Sequence, residues 1–161
     1  MATAAPYHIN WATGTDKLLI VSVGTGNAPT VFAGMETDDM NLIHYAKNIP
    51  RALMNAAAAG WDMSCRIIGE CRFGPSIDRE FGDMVVDSRN PGPNWSGPKQ
   101  FAYVRYDPDV TRHGLDELGL RNVNEAHVAV LDSVKYIGEI QRVGKAYAAR
   151  NVNLAHLANF V

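Results

Sequence analysis

The run LLIVSV at residues 18–23, followed at once by Gly24, Thr25 and Gly26, constrains the fold more than any other stretch of the chain. Five of its six residues are apolar, which predicts a β-strand that is buried on both faces. Such strands lie inside sheets that carry helices on each side, and the glycines mark the carboxyl end, where α/β proteins usually place their sites. A strand of this kind needs neighbouring strands.

Composition excludes several classes of protein. The 161 residues fit one domain, and 47% hydrophobic content with a net charge of −2 is typical of a globular protein rather than a disordered or nucleic-acid-binding one. Residues 1–11 have neither a basic start nor an apolar core, so we expect no signal peptide. Two cysteines, Cys65 and Cys71, are too few for a disulfide scaffold, and we expect reduced thiols in a cytoplasmic protein.

Helix signals outnumber strand signals. Residues 69–97, rich in Gly and Pro, predict a long irregular segment. In the first half of the chain, the pattern predicts a helix that begins at Thr37 or Asp38 and ends near Lys47, and a second helix over 51–59, after Pro50, that restarts over 62–68. In the second half, it predicts a short helix over 124–131, capped by Asn122 or Asn124. A last helix is predicted from Asp132 or Ser133 to about Arg150.

Only one further strand is predicted, at residues 101–106. Aromatic residues alternate there with Ala, Val and Arg, which indicates a half-exposed strand at a sheet edge. The expectation is therefore a helix-rich α/β fold with a buried strand at 17–24 and an edge strand near 101–106. Two strands make a marginal sheet, and each unpaired buried backbone group costs roughly 1–3 kcal/mol. Either the fold is an unusual α-rich one, or further strands belong to an absent region or to another chain, and we favour the absent region.

Local candidates for chemistry are few. The turn Gly24-Thr25-Gly26-Asn27 could hold a phosphate or an oxyanion, but a lone Gly-x-Gly favours a packing role beside a neighbouring strand. The spacing of Cys65 and Cys71 does not fit usual structural zinc sites, so packed thiols are favoured over a metal site completed by His8, His44, His113, His127 or His156.

Two other hypotheses are weaker than their structural alternatives. Ser76 with Asp78 could form a hydrolase pair, but a loop network of Asp78, Arg79, Glu80 and Asp83 is favoured, since a nucleophilic serine needs a rigidly held base. A lipid-facing lip could use Trp61 and Trp95, although helix packing is favoured for Trp61. We expect Tyr103 and Tyr106 to cover a sheet edge.

An ordered series of segments resembles the C-terminal half of bacterial patatin-like phospholipases, and the similarity covers nearly the whole chain. The series comprises residues 7–11, 13–14, 19–26, 39–42, 49–54, 77–83, 101–107 and 115–120. The resemblance implies a three-layer α/β fold and hydrolysis of lipid acyl esters, through an acyl-enzyme, by a Ser-Asp dyad. In the family the serine lies in Gly-x-Ser-x-Gly and the aspartate in Asp-Gly-Gly or Asp-Gly-Ala.

Neither motif occurs in this sequence, which contains no Asp-Gly pair and no serine flanked as the family requires. We therefore expect residues 1–161 to be a partial patatin-like domain that lacks the catalytic part. No catalytic, cofactor-binding or metal-binding residue is assigned. A lipid or acyl ester would be a substrate only after completion by that part. The alternative is a stand-alone interaction module that pairs through its strand edge with another copy or an upstream partner chain. A third hypothesis, nucleotide binding at residues 24–27, rests on the Gly-x-Gly turn alone.

Overall fold

The computed structural model of the chain describes residues 12–28, 42–77, 84–85, 98–130 and 134–161. These residues form a mixed α/β fold, as the sequence predicts. In chain order, its elements are β1 (Gly14–Val23), α1 (Leu42–Ile68), β2 (Glu70–Phe73), β3 (Phe101–Tyr106), α2 (Arg112–Glu117), α3 (Glu125–Val128), a 3-10 turn (Val134–Tyr136), α4 (Ile137–Asn151) and a second 3-10 turn (Leu154–Leu157).

The three described strands form one parallel sheet in the order β1-β3-β2. Val21 of β1 is in register with Val104 of β3, and Val23 is in register with Tyr106. Strand β2 was not expected, because it is short, carries Glu70 and Arg72, and falls inside the segment predicted to be irregular. Its pairing with β3 stabilises it, and local sequence does not reveal that pairing.

Strand β3 lies at the centre of this sheet, so the prediction of an edge strand near 101–106 is wrong in position although the strand has the bounds expected. Residues 102–104 and Tyr106 are all buried. The alternation that predicted a half-exposed strand has another cause: the polar groups of Tyr103 and Arg105 form hydrogen bonds with protein groups rather than with water. Consequently Tyr103 and Tyr106 lie inside the sheet and do not cover its edge.

Strand β1 occupies an edge of the described sheet, and none of its residues is fully buried, so the prediction of a strand buried on both faces is wrong for this part of the chain. Val21 is 45% exposed and Val23 is 75% exposed. The edge of β1 opposite β3 pairs with no strand among the described residues. The sequence of β1 is thus typical of a strand inside a sheet, but among the described residues β1 has a strand neighbour on one side only and exposed valines on one face.

Helix α1 is one continuous helix, whereas the sequence predicted a helix that ends near Lys47, a second over 51–59 and a restart over 62–68. A proline inside a helix removes only its own backbone hydrogen bond and crowds one turn, and the alanine-rich stretch after it favours helix strongly. Thr37 and Asp38, the predicted caps, lie outside the described residues. No described helix is long and apolar enough to cross a membrane.

The later helices follow the prediction in part. Asn124 caps α3 by accepting a hydrogen bond from the Ala126 N–H at 3.0 Å, as expected, but the helix ends at Val128. Helix α4 runs to Asn151, close to the predicted end, while Asp132 and Ser133 lie outside the described residues. Helix α2, capped by Thr111, was not expected.

The chain divides into two compact units. The first comprises Met1–Gly24, Asp62–Asp107 and Asn151–Val161, and the second comprises Thr25–Trp61 and Pro108–Arg150. In their described parts, the first unit contains the parallel sheet, and the second contains a hydrophobic cluster. The buried members of that cluster are Val110, Leu115, Val123, Val128 and Val143.

Candidate functional site

A buried ion pair lies at the end of α1, in the first unit. Asp62 and Arg66 lie four residues apart, so they share one face of the helix. The Arg66 guanidinium donates two hydrogen bonds to the Asp62 carboxylate, from Nε to Oδ1 at 3.1 Å and from Nη2 to Oδ2 at 2.7 Å. Both residues are buried, and Arg66 is only 2% exposed. A paired, two-bond geometry is what makes such burial tolerable.

Strand β3 contributes two side chains to the same region. Tyr103 and Arg105 are two residues apart and therefore point to one face of the strand. The Tyr103 hydroxyl donates to Asp62 Oδ1 at 2.8 Å, and Arg105 Nε lies 3.7 Å from Asp62 Oδ2. Burial, reinforced by the hydrogen bond to Asp62, raises the pKa of Tyr103 to about 12. The phenol is therefore a neutral donor at any physiological pH.

Arg105 links this region to the carboxyl end of β1. Its Nη1 donates to Ser22 Oγ at 2.9 Å, and its Nη2 donates to Asp107 Oδ2 at 2.8 Å. Burial opposes its charge, but Asp107 and Asp62 outweigh that effect and raise the pKa of Arg105 above its usual value. We call Ser22, Asp62, Arg66, Tyr103, Arg105 and Asp107 the ionic cluster; its two carboxylates and two guanidiniums balance in charge.

Gly24 follows β1 directly and is packed against this cluster. Its N–H donates to the Tyr106 carbonyl at 2.7 Å, and a Cβ built at position 24 would overlap the Asp107 carboxylate. The glycine is thus required by a close approach. Of the two roles weighed for residues 24–27, the structure supports packing.

Gly26 and Asn27 of that turn, in the second unit, are also packed against other parts of the chain. The Asn27 N–H donates to the Pro108 carbonyl at 2.8 Å, and Gly26, with φ of +111°, would place a Cβ against Val110. Backbone donors that already serve protein carbonyls are not available to a phosphate. A nucleotide site at this turn therefore has no structural support.

The cluster is suited to holding elements together rather than to acid-base or nucleophilic chemistry. The Ser22 hydroxyl accepts from a guanidinium, whereas a serine nucleophile needs a base to take its proton. Burial and the nearby Asp62 raise the pKa of the Cys65 thiol, so it is not an activated thiolate. What the cluster provides is a fixed junction between α1, the carboxyl end of β1 and the carboxyl end of β3.

The metal hypothesis finds no cluster in the part of the chain that the structure describes, where no three His, Cys, Asp or Glu residues could share an ion. Cys71 is fully buried, and its Sγ lies 3.6 Å from the Phe73 carbonyl oxygen. Three of the histidines considered have other partners: His113 pairs with Glu117, His127 with Glu139 and His156 with Tyr106. His8 and the His44 side chain lie outside the described residues.

The remaining sequence candidates do not form a site. Ser76 is exposed, and Asp78, with the proposed loop network of Arg79, Glu80 and Asp83, lies outside the described residues. Trp61 is 74% exposed, so the prediction that its side chain is buried by helix packing is wrong. Trp95 lies outside the described residues.

Sequence reasoning did not find the ionic cluster. The signals were present: Asp62 and Arg66 are spaced one helical turn apart, Tyr103 and Arg105 alternate along β3, and Asp107 directly follows that strand. What a single sequence does not show is that these two patterns face each other across about forty residues of chain. Comparison of the chain with protein-family models, curated proteins and solved structures gives no match.

Proposed function

We propose that this chain is the C-terminal portion of a patatin-like lipid acyl hydrolase, a cytoplasmic protein part that is inactive alone. The ordered resemblance of its segments to that family supports the proposal. The chain contains neither the nucleophile motif nor the aspartate motif of the family. Its role would be to complete the sheet and position the elements beside a catalytic site that another segment provides.

One structural observation carries the argument: β1 has the sequence of an interior strand and the surroundings of an edge strand. Parallel sheets occur almost only with both faces covered, because their strands are apolar on both sides. Here Val21 and Val23 are exposed on one face, and the outer edge of β1 pairs with no strand among the described residues. A further strand and a covering layer on this side would satisfy both.

The ionic cluster fits this supporting role. It fixes the carboxyl ends of β1 and β3, the end of a parallel sheet at which α/β proteins bind their ligands. Because its charges are internally paired, it stabilises the strand ends without presenting a reactive group. A nucleophile supplied by a neighbouring strand would therefore lie beside strand ends that are held in a fixed position.

The decisive test combines the upstream DNA with coexpression. We expect an in-frame or adjacent segment that encodes Gly-x-Ser-x-Gly and Asp-Gly. Its product, coexpressed with this chain, should copurify with it and hydrolyse p-nitrophenyl acyl esters, whereas this chain alone should not. The absence of such a segment, or turnover by the pure chain that a serine reagent abolishes, would overturn the proposal.

A matched pair of variants tests the surface involved. Val21→Lys places a charge on the open face of β1. We expect this variant to lose copurification and to lower the rate of ester turnover at least tenfold. Val130→Lys is the control, since Val130 is 53% exposed, compared with 45% for Val21, but belongs to the second unit. Equal effects of the two would contradict the role of β1.

The exposed edge of β1 also supports a second candidate, a stand-alone assembly module. A strand with a free edge is a template for pairing with another chain, including a second copy. Sedimentation distinguishes the two: a discrete dimer that Val21→Lys dissociates favours the module, and an unstable, aggregating chain favours the incomplete enzyme.

A further inference from the structure

The C-terminal segment Asn151–Val161, here called the clasp, belongs to the first unit although the residues before it belong to the second. It contains the 3-10 turn Leu154–Leu157, whose start is capped by Asn153 through a hydrogen bond from the Ala155 N–H at 2.9 Å. Leu154 and Val161 are mostly exposed, so the clasp is not held by deep apolar burial. Its attachment depends on a few specific contacts with the sheet.

His156 makes the central contact. Its ring stacks on Phe73 of β2, with centroids 4.4 Å apart and planes 18° from parallel. Its Nδ1 lies 3.0 Å from the hydroxyl of Tyr106 on β3. Since burial raises the pKa of Tyr106, the phenol remains protonated and can donate to an unprotonated Nδ1.

Arg72 of β2 makes the second contact. Its Nη1 donates to the Ala158 carbonyl at 2.7 Å, its Nη2 to the Thr15 carbonyl at 3.1 Å, and its guanidinium lies 5.9 Å from the Phe160 ring centroid. Its charge is paired with Glu70 at 3.3 Å. Arg72 therefore ties the clasp to both outer strands, and its bonds do not involve a group that titrates near neutrality.

We propose that the clasp is a pH-sensitive cover over Phe73 and Tyr106 that is released when His156 takes up a second proton. A protonated Nδ1 no longer accepts from Tyr106, so the hydrogen bond has to reverse and the phenolic hydrogen loses this acceptor. The groups that face the clasp from the sheet are Tyr106, Phe73 and Arg72, none of which is an anion. Among the described residues, Glu70 is the nearby carboxylate on these strands, and it is bound to Arg72.

The direction of the effect follows from proton linkage. Burial lowers the pKa of His156 below the ordinary histidine value of 6.5, so the docked clasp binds fewer protons than the released one. The docked form is therefore fully favoured above about pH 6.5 and weakens as the pH falls through that value towards the lowered pKa.

Release would enlarge an apolar surface that is already partly open. Tyr106 is in register with Val23, and Val104 with Val21, so these four side chains share one face of the sheet. Val21 and Val23 are exposed, whereas Tyr106 is covered. Release at acidic pH would join the two parts into one continuous face.

Hydrogen exchange of the full chain, corrected for intrinsic exchange rates, tests this. Between about one unit above and about one unit below the ordinary histidine pKa, protection of residues 151–161 should fall about three- to tenfold, while protection around Val143 in α4 stays constant. His156→Gln keeps a polar group that does not titrate, and its clasp should lose the pH dependence. His113→Gln is the control, because the His113 side chain is 81% exposed, and it should retain the dependence.

Nuclear magnetic resonance titration of the unmodified chain gives a second readout that needs no variant. We expect His156 to titrate below the ordinary histidine value of 6.5. A clasp whose protection does not change with pH, a dependence that persists in His156→Gln, or a His156 that titrates at or above 6.5 would each overturn the proposal.

Discussion

The described parts of the two units differ in the charge that they bury: Asp62, Arg66 and Asp107, the buried charged residues, all lie in the first unit, beside apolar residues of β3. Charged and polar side chains, Asp62, Arg66, Tyr103 and Arg105, form the buried interior between α1 and β3 in the first unit. The second unit instead buries aliphatic side chains, with Leu115 fully enclosed among valines. An aliphatic cluster tolerates changes of shape, since its contacts have no direction. A buried ionic cluster tolerates few, because each lost partner leaves a desolvated charge.

The largest effect should come from breaking the ionic cluster. Asp62→Ala removes the acceptor of both Arg66 and Tyr103, and we expect the free energy of unfolding to fall by about 3–5 kcal/mol. Urea denaturation measures this change. Asp116→Ala is the matched control: it breaks the Arg112–Asp116 pair, which has the same four-residue spacing but is exposed, and should cost under about 1 kcal/mol. Similar losses in the two variants would contradict the contrast drawn between the units.

Leu115→Ala should be the next largest change. Removing a fully buried leucine leaves a cavity among Val110, Val123 and Val143, and we expect a loss of about 3 kcal/mol. Leu115→Met should cost less than about 1.5 kcal/mol, since an aliphatic core accepts a swap of similar volume. Leu53→Ala, at a 65% exposed position in a helix, serves as the control with little effect expected. Thermal unfolding of the three proteins makes the comparison, and a Leu115→Met as damaging as Leu115→Ala would argue against a tolerant core.

Tyr103→Phe tests the Tyr103 hydroxyl of the ionic cluster. It removes the hydrogen bond to the Asp62 carboxylate and the contact with the Ser22 hydroxyl, and should lower the free energy of unfolding by about 2 kcal/mol. The pKa of Tyr103 in the folded protein, about 12, lies above the ordinary value of 10. Its contribution is therefore complete below about pH 10 and is lost as the pH rises towards about 12. Ultraviolet titration of tyrosinate should show one late-titrating group fewer in the variant, while Tyr106, whose pKa burial also raises, stays late in both proteins, and an unchanged titration would count against this bond.

Asn124→Ala tests a local feature of the second unit. The Asn124 side chain satisfies the Ala126 N–H at the start of α3, and its loss should cost about 1 kcal/mol. Asn124→Asp keeps an acceptor at the same place and should restore most of the stability. Chemical denaturation distinguishes the two, and an Asp variant no better than the Ala variant would show that capping is not the reason.

The smallest effect should be the pH dependence of the half-buried hydrogen bond between His127 and Glu139. A hydrogen bond from His127, followed by one from the Asn124 backbone N–H, lowers the pKa of Glu139 below its ordinary value of 4.5. The link is therefore fully present above about pH 4.5 and is lost as the pH falls through the lowered pKa. Glu139→Gln should flatten this part of the stability profile, measured by thermal unfolding in acid, while Glu125→Gln should leave it unchanged.

The positions of β1 and β3 could be predicted because each is a run of residues whose strand character is local. Their order in the sheet could not. Ser22 and Arg105 look like signs of a wet face, and only tertiary contacts between β1 and β3 reveal that they bond each other. Strand β2 escaped prediction for the same reason, since its four residues gain strand structure from pairing with β3.

The continuous α1 shows a second limit. Pro50 is a strong local signal for a helix start, and it lies within a helix here because the residues on both sides favour helix. Asp62 and Arg66 were part of a predicted helical restart, yet their partners on β3 were beyond the reach of periodicity. Many of the helices and strands could thus be predicted from the sequence, whereas the ionic cluster that joins them could not.

The close approach of Gly24 to Asp107 means that the substitutions acceptable at position 24 depend on the residue at position 107. A larger residue at position 24 is acceptable only after Asp107 has been shortened, because the carboxylate fills the space where a Cβ would stand. Shortening Asp107 first would release the Nη2 of Arg105 from its partner inside the cluster. Each single step is therefore unfavourable, and the paired change avoids the overlap at position 24 but still removes the Asp107 partner of Arg105. Glycine at this strand end is expected to persist through sequence drift for as long as the aspartate does.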